Sequence, residues 1–190
     1  IDVVWICYAE IIMLGMYTIY FLHVDGGMPL IAAVACGVGV TACLGWLPHR
    51  LVIGYLLQAA PINQLLATGG LLFFFQGAAM VAFGVEFRSL GVSLGSLALS
   101  EDIYLSWTRL LSFTIAAGVV VVLYQFLARS YLGAAIRAIS QDREIMILMG
   151  VDTKKLYLLT SAIGGGLAGL AAALLALQYD VHPFIGLSFG

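Results

Sequence analysis

Apolar residues dominate this chain in five long runs, each close to the roughly 20 residues that a helix needs to cross the hydrocarbon core of a bilayer. Shorter segments rich in glycine, proline and charged residues separate the runs. The predicted spans are Val3–Leu22, Leu30–Leu47, Leu65–Val85, Leu110–Ala128 and Leu156–Leu177. We therefore predict an all-α fold, a polytopic membrane helix bundle of about five spans that forms a single transmembrane domain over residues 1–190.

One long polar interruption, residues 129–155, lies between the fourth and fifth spans and is called the elbow below. Five of the eight Lys and Arg residues lie in it. Because cytoplasmic loops carry an excess of Lys and Arg, the elbow is predicted to be cytoplasmic. Counting spans backwards then places His49 and Arg50 inside, and Asp25 and residues 86–106 outside.

The elbow carries signals for two helix starts and one helix end. Ser140 and Asp142 are suited to cap a short helix at about 143–149. Gly150 follows the apolar residues of that helix, where a stop is expected. Asp152 or Thr153 is suited to cap the next helix, which continues into the fifth span. The elbow is therefore predicted to be folded and helical.

Composition supports a membrane protein and excludes several functions. Hydrophobic residues make up 63% of the chain and charged residues 9%, whereas an average soluble domain carries about 25% charged residues. No basic surface is large enough for nucleic acid. The three cysteines lie in apolar segments without a His or second Cys at ligand spacing, so we predict no metal site and no cofactor bound by this chain.

Glu10 lies about midway along the first predicted span. An acid at that depth is costly and is a functional candidate by default. Two interpretations carry equal weight: Glu10 lines a translocation path, or it faces a wet interior or pairs with another helix without touching substrate.

The third predicted span carries Thr68, Gly69 and Gly70 near its start and Gln76 near its middle. The glycines could break the helix and line a translocation path, but close helix packing is the commoner role and is favoured here. Gln76 is similarly expected to donate a hydrogen bond between helices rather than to bind substrate. These four residues are candidates for the path.

Small residues recur every four positions along the fifth span, at Ser161, Gly165, Gly169 and Ala173. Membrane helices select small residues where their backbones approach closely. We therefore predict that this row is a helix-packing seam.

The elbow itself has two interpretations from local sequence. A charged helical segment with an apolar face suits docking into a groove on a partner protein. Alternatively, the elbow is an amphipathic loop that lies on the membrane surface, where its Lys and Arg residues bind anionic lipid headgroups. Local sequence alone favours this second interpretation.

A resemblance to a known family changes that balance. Residues 133–144, read with 148–152, resemble the cytoplasmic coupling segment of the branched-chain amino acid permeases of ATP-binding-cassette importers. Residues 66–70, 76–77 and 181–186 are similar to other patterns of that family. Ile145 and Met146 stand where the wider importer signature has two alanines, so the match is to this family more than to importers in general.

The resemblance implies a permease subunit in the bacterial inner membrane that performs no covalent chemistry and therefore is not an enzyme. It implies a second permease subunit, cytoplasmic ATPase subunits that use the ATP, and an extracytoplasmic solute-binding protein. The solute would be a branched-chain or related amino acid, with urea and amides as alternatives. The residues assigned to ATPase coupling are Arg137, Gln141, Asp142, Arg143, Glu144, Ile147, Leu148 and Gly150.

A secondary transporter or channel that works alone and uses Glu10 is the rival interpretation. The chain begins at Ile1 and ends at Gly190, where relatives continue, so we expect it to be a fragment.

Overall fold

The computed structural model describes residues 7–54, 61–91, 96–100 and 103–186, with the backbone alone at 61, 96–100, 103–105 and 143–144. Helices dominate the described chain, and one hairpin interrupts them. The elements are α1 (Tyr8–Tyr20), α2 (Leu30–Pro48), α3 (Pro61–Phe83), β1 (Ser96–Ser100), β2 (Ile103–Ser106), α4 (Trp107–Arg129), α5 (Tyr131–Gln141), α6 (Arg143–Leu148) and α7 (Thr153–Ala176). A π-helical turn extends α1 to Asp25, and another extends α2 to Ile53.

Four helices in the described part of the chain are long and apolar enough to cross a membrane. They cover Leu30–Ile53, Ile62–Phe83, Trp107–Arg129 and Thr153–Ala176. Helix α1 is the described part of the first predicted span, whose start lies outside the described residues. The predicted helical membrane bundle is confirmed, and the count of five spans stays approximate.

The hairpin is the one departure from the all-α prediction among the described residues. Strands β1 and β2 pair antiparallel, with Ser96 opposite Ser106 and Leu97 opposite Leu105. Residues 86–106 are predicted from the sequence only as an outer segment, with no strand assigned to them. Leu alternates with Ser and Ala along β1, which is the period-2 pattern of a strand.

The described residues form two compact units, residues 1–90 with 152–190 and residues 91–151. In the first unit, α7 packs on both α1 and α2, and α1 packs on α2. The three helices meet around Thr41, whose methyl carbon would lie 2.8 Å from a Cβ added at Gly15. The Thr41 hydroxyl donates to the Gly37 carbonyl at 2.9 Å, so its polar atom is satisfied within α2.

A short pairing joins the segments that follow α3 and α7 in the same unit. The Arg88 N–H donates to the Val181 carbonyl at 3.0 Å, and the Val181 N–H donates to the Arg88 carbonyl at 2.7 Å. Since α3 and α7 end here, this pairing fixes one end of the bundle. The prediction places that end outside the cytoplasm.

The second unit contains the hairpin, α4, α5 and α6. Helix α5 packs on α4, and α6 packs on α5. This unit holds the elbow up to residue 151.

Candidate functional site

The elbow begins with a tight corner between α4 and α5. Ser130 has an extended backbone and ends α4, and its hydroxyl accepts the Gly133 N–H at 2.9 Å as the cap of α5. A Cβ added at Gly133 would collide with the backbone of Leu127. The corner therefore depends on a capping serine followed by a glycine.

Helix α6 has a well-formed cap at each end. The Asp142 side chain accepts the Ile145 N–H at 3.0 Å, so the predicted cap at Asp142 is confirmed. The predicted cap at Ser140 is wrong, because this residue lies inside α5 and its hydroxyl donates to the Arg137 carbonyl at 2.7 Å.

The predicted stop after α6 is confirmed. Gly150 has a φ of 78°, a region that only glycine occupies readily. Its N–H donates to the Ile147 carbonyl at 3.0 Å, and the Val151 N–H donates to the Met146 carbonyl at 3.1 Å. This pair of bonds is a Schellman motif.

The short helix and its stop present apolar side chains to the surface. Leu148 is 87% exposed and Met149 is 74% exposed, and Ile145 and Ile147 are exposed as well. Met146 is the buried apolar residue of this helix. An exposed apolar cluster of this kind marks an interaction site more often than a plain solvated surface.

The polar residues assigned to coupling are partly visible. Arg137 and Gln141 are exposed on α5, and Asp142 is exposed at the cap of α6. The side chains of Arg143 and Glu144 lie outside the described atoms, although their backbone forms the first turn of α6. The residues predicted to couple to an ATPase therefore lie on two consecutive short helices and the stop that follows them.

The elbow ends where α7 begins. The Lys155 N–H donates to the Asp152 side chain at 3.2 Å, and the Lys155 ammonium lies 3.1 Å from the same carboxylate. The backbone N–H is the main cause that lowers the pKa of Asp152, with the Lys155 side chain adding to it. The cap therefore stays ionised at neutral pH, and the predicted start of the last helix is confirmed.

Glu10, the acid predicted within the first span, lies buried on α1 with 0% of its surface exposed. Neither carboxylate oxygen has a hydrogen-bond partner among the described residues. Gly186 approaches so closely that an added Cβ would lie 2.8 Å from Oε1. A buried acid without a partner carries a desolvation cost, which makes Glu10 a chemically unusual position in this unit.

Helix α3 turns a half-polar face inward. Gln64, Thr68 and Gln76 are buried in one stripe with the apolar Leu72 and Ala79. The Thr68 hydroxyl donates to the Gln64 carbonyl at 2.9 Å. Two of the candidate path residues, Thr68 and Gln76, therefore share a face, and the sequence analysis missed Gln64 by starting this helix at residue 65.

The two candidate glycines of α3 do not share that face. The helix is continuous through Gly69 and Gly70, so they do not break it. No described atom lies within 4 Å of a Cβ added at either position. The favoured expectation of tight packing at these glycines is therefore not met within the described residues.

The row of small residues on α7 lies in the densest contact of the first unit. All four members, Ser161, Gly165, Gly169 and Ala173, are buried. A Cβ at Gly165 would collide with the Thr41 carbonyl oxygen, and one at Gly169 with the Thr41 hydroxyl. Helix α7 thus approaches α2 at backbone distance along this row.

His49 was missed as a structural residue because its partner lies far along the chain. Its Nδ1 shares a 2.9 Å hydrogen bond with the Ser161 hydroxyl, and both residues are buried. Its ring stacks on Tyr157 with 6.1 Å between centroids. From the sequence, His49 is predicted only to lie on the cytoplasmic side.

Comparison with known proteins places these features in a transport family. The family whose sequence profile matches residues 3–190 is described as the permease component of branched-chain amino acid transport systems. BraD of Pseudomonas aeruginosa, a high-affinity branched-chain amino acid transport system permease protein, is 30% identical over 96% of this chain and 64% of BraD. LivH of Escherichia coli K12, with the same description, is 25% identical over the same shares.

A relative with a different name also matches. TsgC13 of Haloferax volcanii, provisionally named a glucose ABC transporter permease protein, is 31% identical over 83% of this chain and 48% of TsgC13. The chain spans 64% of the length of BraD and of LivH. No solved structure matches the chain.

Proposed function

This chain belongs to the family of permease components of branched-chain amino acid transport systems, and we propose that it works as the membrane-spanning subunit of an ATP-binding-cassette importer. The helices and the family together indicate a multi-pass membrane protein. In the proposal it lies in the inner membrane with the elbow in the cytoplasm. Partner ATPase subunits, a second permease subunit and a solute-binding protein complete the importer.

One observation carries the coupling role, namely the exposed apolar surface of α6. Leu148 ends a helix that has a cap at each end, and Met149 follows it in the stop, in a polar segment between two helices long enough to span the membrane. Fully burying a leucine side chain contributes about 1.5–3 kcal/mol. Docking of an ATPase groove on α6 would supply that burial and would connect the partner to the start of α7.

Motion of the partner would reach the bundle through α7. This helix starts at the end of the elbow, and in the first unit it packs along α2 at backbone distance. Such a contact transmits displacement of one helix to the other because close-packed surfaces shift as units rather than deform. ATP binding and hydrolysis in the partner would thereby alternate access to the path.

Branched-chain amino acids are the proposed solutes because BraD and LivH are named as permeases of branched-chain amino acid transport systems. TsgC13 bears the name of a glucose transporter permease, so related sugars serve as the comparison solute in any uptake assay.

Co-purification tests the coupling role. The full-length protein is co-expressed with its ATPase subunits and isolated in detergent, beside the Leu148→Asp variant. We expect at least about tenfold less ATPase with the variant, because a charged side chain replaces an apolar anchor.

Val85→Asp is the matched control. Val85 is also an exposed aliphatic residue, 56% exposed, in the turn that follows α3 and outside the elbow. This variant should retain the ATPase. Retention of the complex by Leu148→Asp, or equal loss with both variants, would contradict docking at α6 and would favour headgroup binding by the elbow.

Glu10, whose carboxylate has no hydrogen-bond partner among the described residues, supports a second candidate function, a carrier that works without an ATPase. A buried acid in a membrane bundle can bind and release a proton or cation during transport. In that case uptake would proceed without ATP and would be lost in Glu10→Gln.

A further inference from the structure

Arg88 occupies a position that the sequence did not indicate. It follows α3 in what was predicted to be an outer loop, yet it folds back against the end of α1. Its Cζ lies 5.0 Å from the Phe21 ring centroid and 5.7 Å from that of Tyr20. Cation and ring attract each other at such distances, so the side chain has a preferred location.

Three contacts hold Arg88 in this location. Its backbone pairs with Val181 through two hydrogen bonds. One guanidinium N–H donates to the Phe83 carbonyl at 3.2 Å. Together with the aromatic contacts, these bonds fix the side chain before any ligand arrives.

The guanidinium retains unused hydrogen-bonding capacity. An arginine side chain has five N–H donors, and among the described residues Arg88 forms no ion pair with a carboxylate. A guanidinium held by rings and backbone, with N–H donors to spare, is suited to bind a planar anion through two parallel bonds. The carboxylate group of an amino acid is a planar anion of this kind.

Polar atoms that have no hydrogen-bond partner among the described residues lie next to the groups that hold Arg88. Tyr17 is fully buried and stacks on Phe83 with 4.6 Å between ring centroids, and its hydroxyl is one of these atoms. The Nδ1 of His182, next to Val181, is likewise buried without a partner. This end of the bundle therefore holds buried polar atoms whose hydrogen bonds are not supplied by the described residues.

We propose that Arg88, held between the ends of α1 and α3 by Tyr20, Phe21 and the Phe83 carbonyl, is a binding site for the carboxylate of a small amphiphilic solute. The aromatic rings around the guanidinium offer an apolar surface to the aliphatic part of that solute. The site lies at the end of the bundle opposite the predicted cytoplasmic side, where an importer receives its solute. The identification of the solute as an amino acid rests on the proposed function.

Equilibrium binding of labelled leucine tests the site. The full-length protein is purified with its ATPase and permease partners but without the solute-binding protein. Unlabelled leucine, 4-methylpentanoate and leucinamide compete for the site. The second competitor lacks the ammonium group and the third lacks the carboxylate, so the panel separates the two ends of the solute.

In Arg88→Gln we expect leucine and 4-methylpentanoate to bind about tenfold more weakly or worse, because a charged hydrogen bond is lost. Leucinamide should be unaffected. Arg88→Lys keeps the charge without the planar fork, and it should give an intermediate loss that also shows that the fold survives. Arg109→Gln, the same change at an exposed arginine on α4, should change nothing.

Three results would overturn the site. The first is an unchanged affinity for leucine in Arg88→Gln, and the second is an equal weakening of leucinamide binding in that variant. The third is that the intact wild-type complex binds no free solute and needs Arg88 only to dock the solute-binding protein. The proposed function is tested separately by ATPase co-purification. Binding that depends on Arg88 in a protein that retains no ATPase would uphold the site and refute the importer.

Discussion

At the residue scale, the contact between α2 and α7 depends on the absence of side chains. Gly165 is set against the Thr41 carbonyl and the Gly45 Cα, both backbone groups that cannot rotate away. Its neighbour Gly166 differs, since an added Cβ there would meet side-chain atoms at 3.9 Å, an ordinary contact. Two adjacent glycines on one helix therefore have opposite tolerance for a methyl group.

Gly165→Ala should lower stability by about 1–3 kcal/mol, because the added carbon forces the two backbones apart. Gly166→Ala should be neutral or stabilising by up to about 1 kcal/mol through helix propensity. Thermal unfolding of the full-length protein in detergent measures both. Equal midpoints for the two variants would show that the helices do not approach at Gly165.

The hydrogen bonds of a side chain could be predicted from the sequence where the partner lies within a few positions along the chain. They could not be predicted where the partner lies far away in the sequence. The caps at Asp142 and Asp152 and the stop at Gly150 follow from neighbours within a few positions. The bond between His49 and Ser161 joins residues 112 positions apart. The position of Arg88 similarly depends on how α1 and α3 meet, which no short pattern encodes.

At the element scale, the elbow is a set of short helices whose ends are determined by single side chains. An isolated helix of 11 residues such as α5 is marginal in water, so its cap matters more than that of a long span. Ser130 caps α5 through the Gly133 N–H, while the Ser140 hydroxyl only bonds back within the helix. The same residue type thus has two different roles in one helix.

Ser130→Ala should cost about 1 kcal/mol of local stability, which corresponds to about fivefold faster amide exchange in the first turn of α5. Ser140→Ala is the matched control and should leave exchange in that turn unchanged. Hydrogen exchange followed by mass spectrometry resolves the two. Faster exchange in both variants, or in neither, would show that the Ser130 cap does not hold the helix.

Prediction at this scale succeeded for long elements and failed for short ones. The four long helices lie within a few residues of the predicted spans because their apolar runs are unambiguous. The hairpin was missed because its strands, of five and four residues, are too short to dominate the composition around them. The glycine pair of α3 also differed from expectation, because Gly69 and Gly70 lie off the buried face that carries Gln64, Thr68 and Gln76.

At the scale of the whole molecule, the proposed function gives the elbow and the Arg88 site different roles. The elbow carries five of the eight Lys and Arg residues, and α6 within it exposes apolar side chains. Arg88 lies among aromatic rings in the first unit. In the proposal, a partner ATPase drives the permease through the elbow, and the solute enters at the Arg88 site.

ATP-dependent uptake tests the central claim most directly. Labelled leucine uptake is measured in liposomes that contain the full-length protein, its ATPase and permease partners and the solute-binding protein. We predict uptake that requires ATP and is lost in Leu148→Asp. Uptake that continues without ATP, survives Leu148→Asp and is lost in Glu10→Gln would contradict the importer and establish a carrier that works alone.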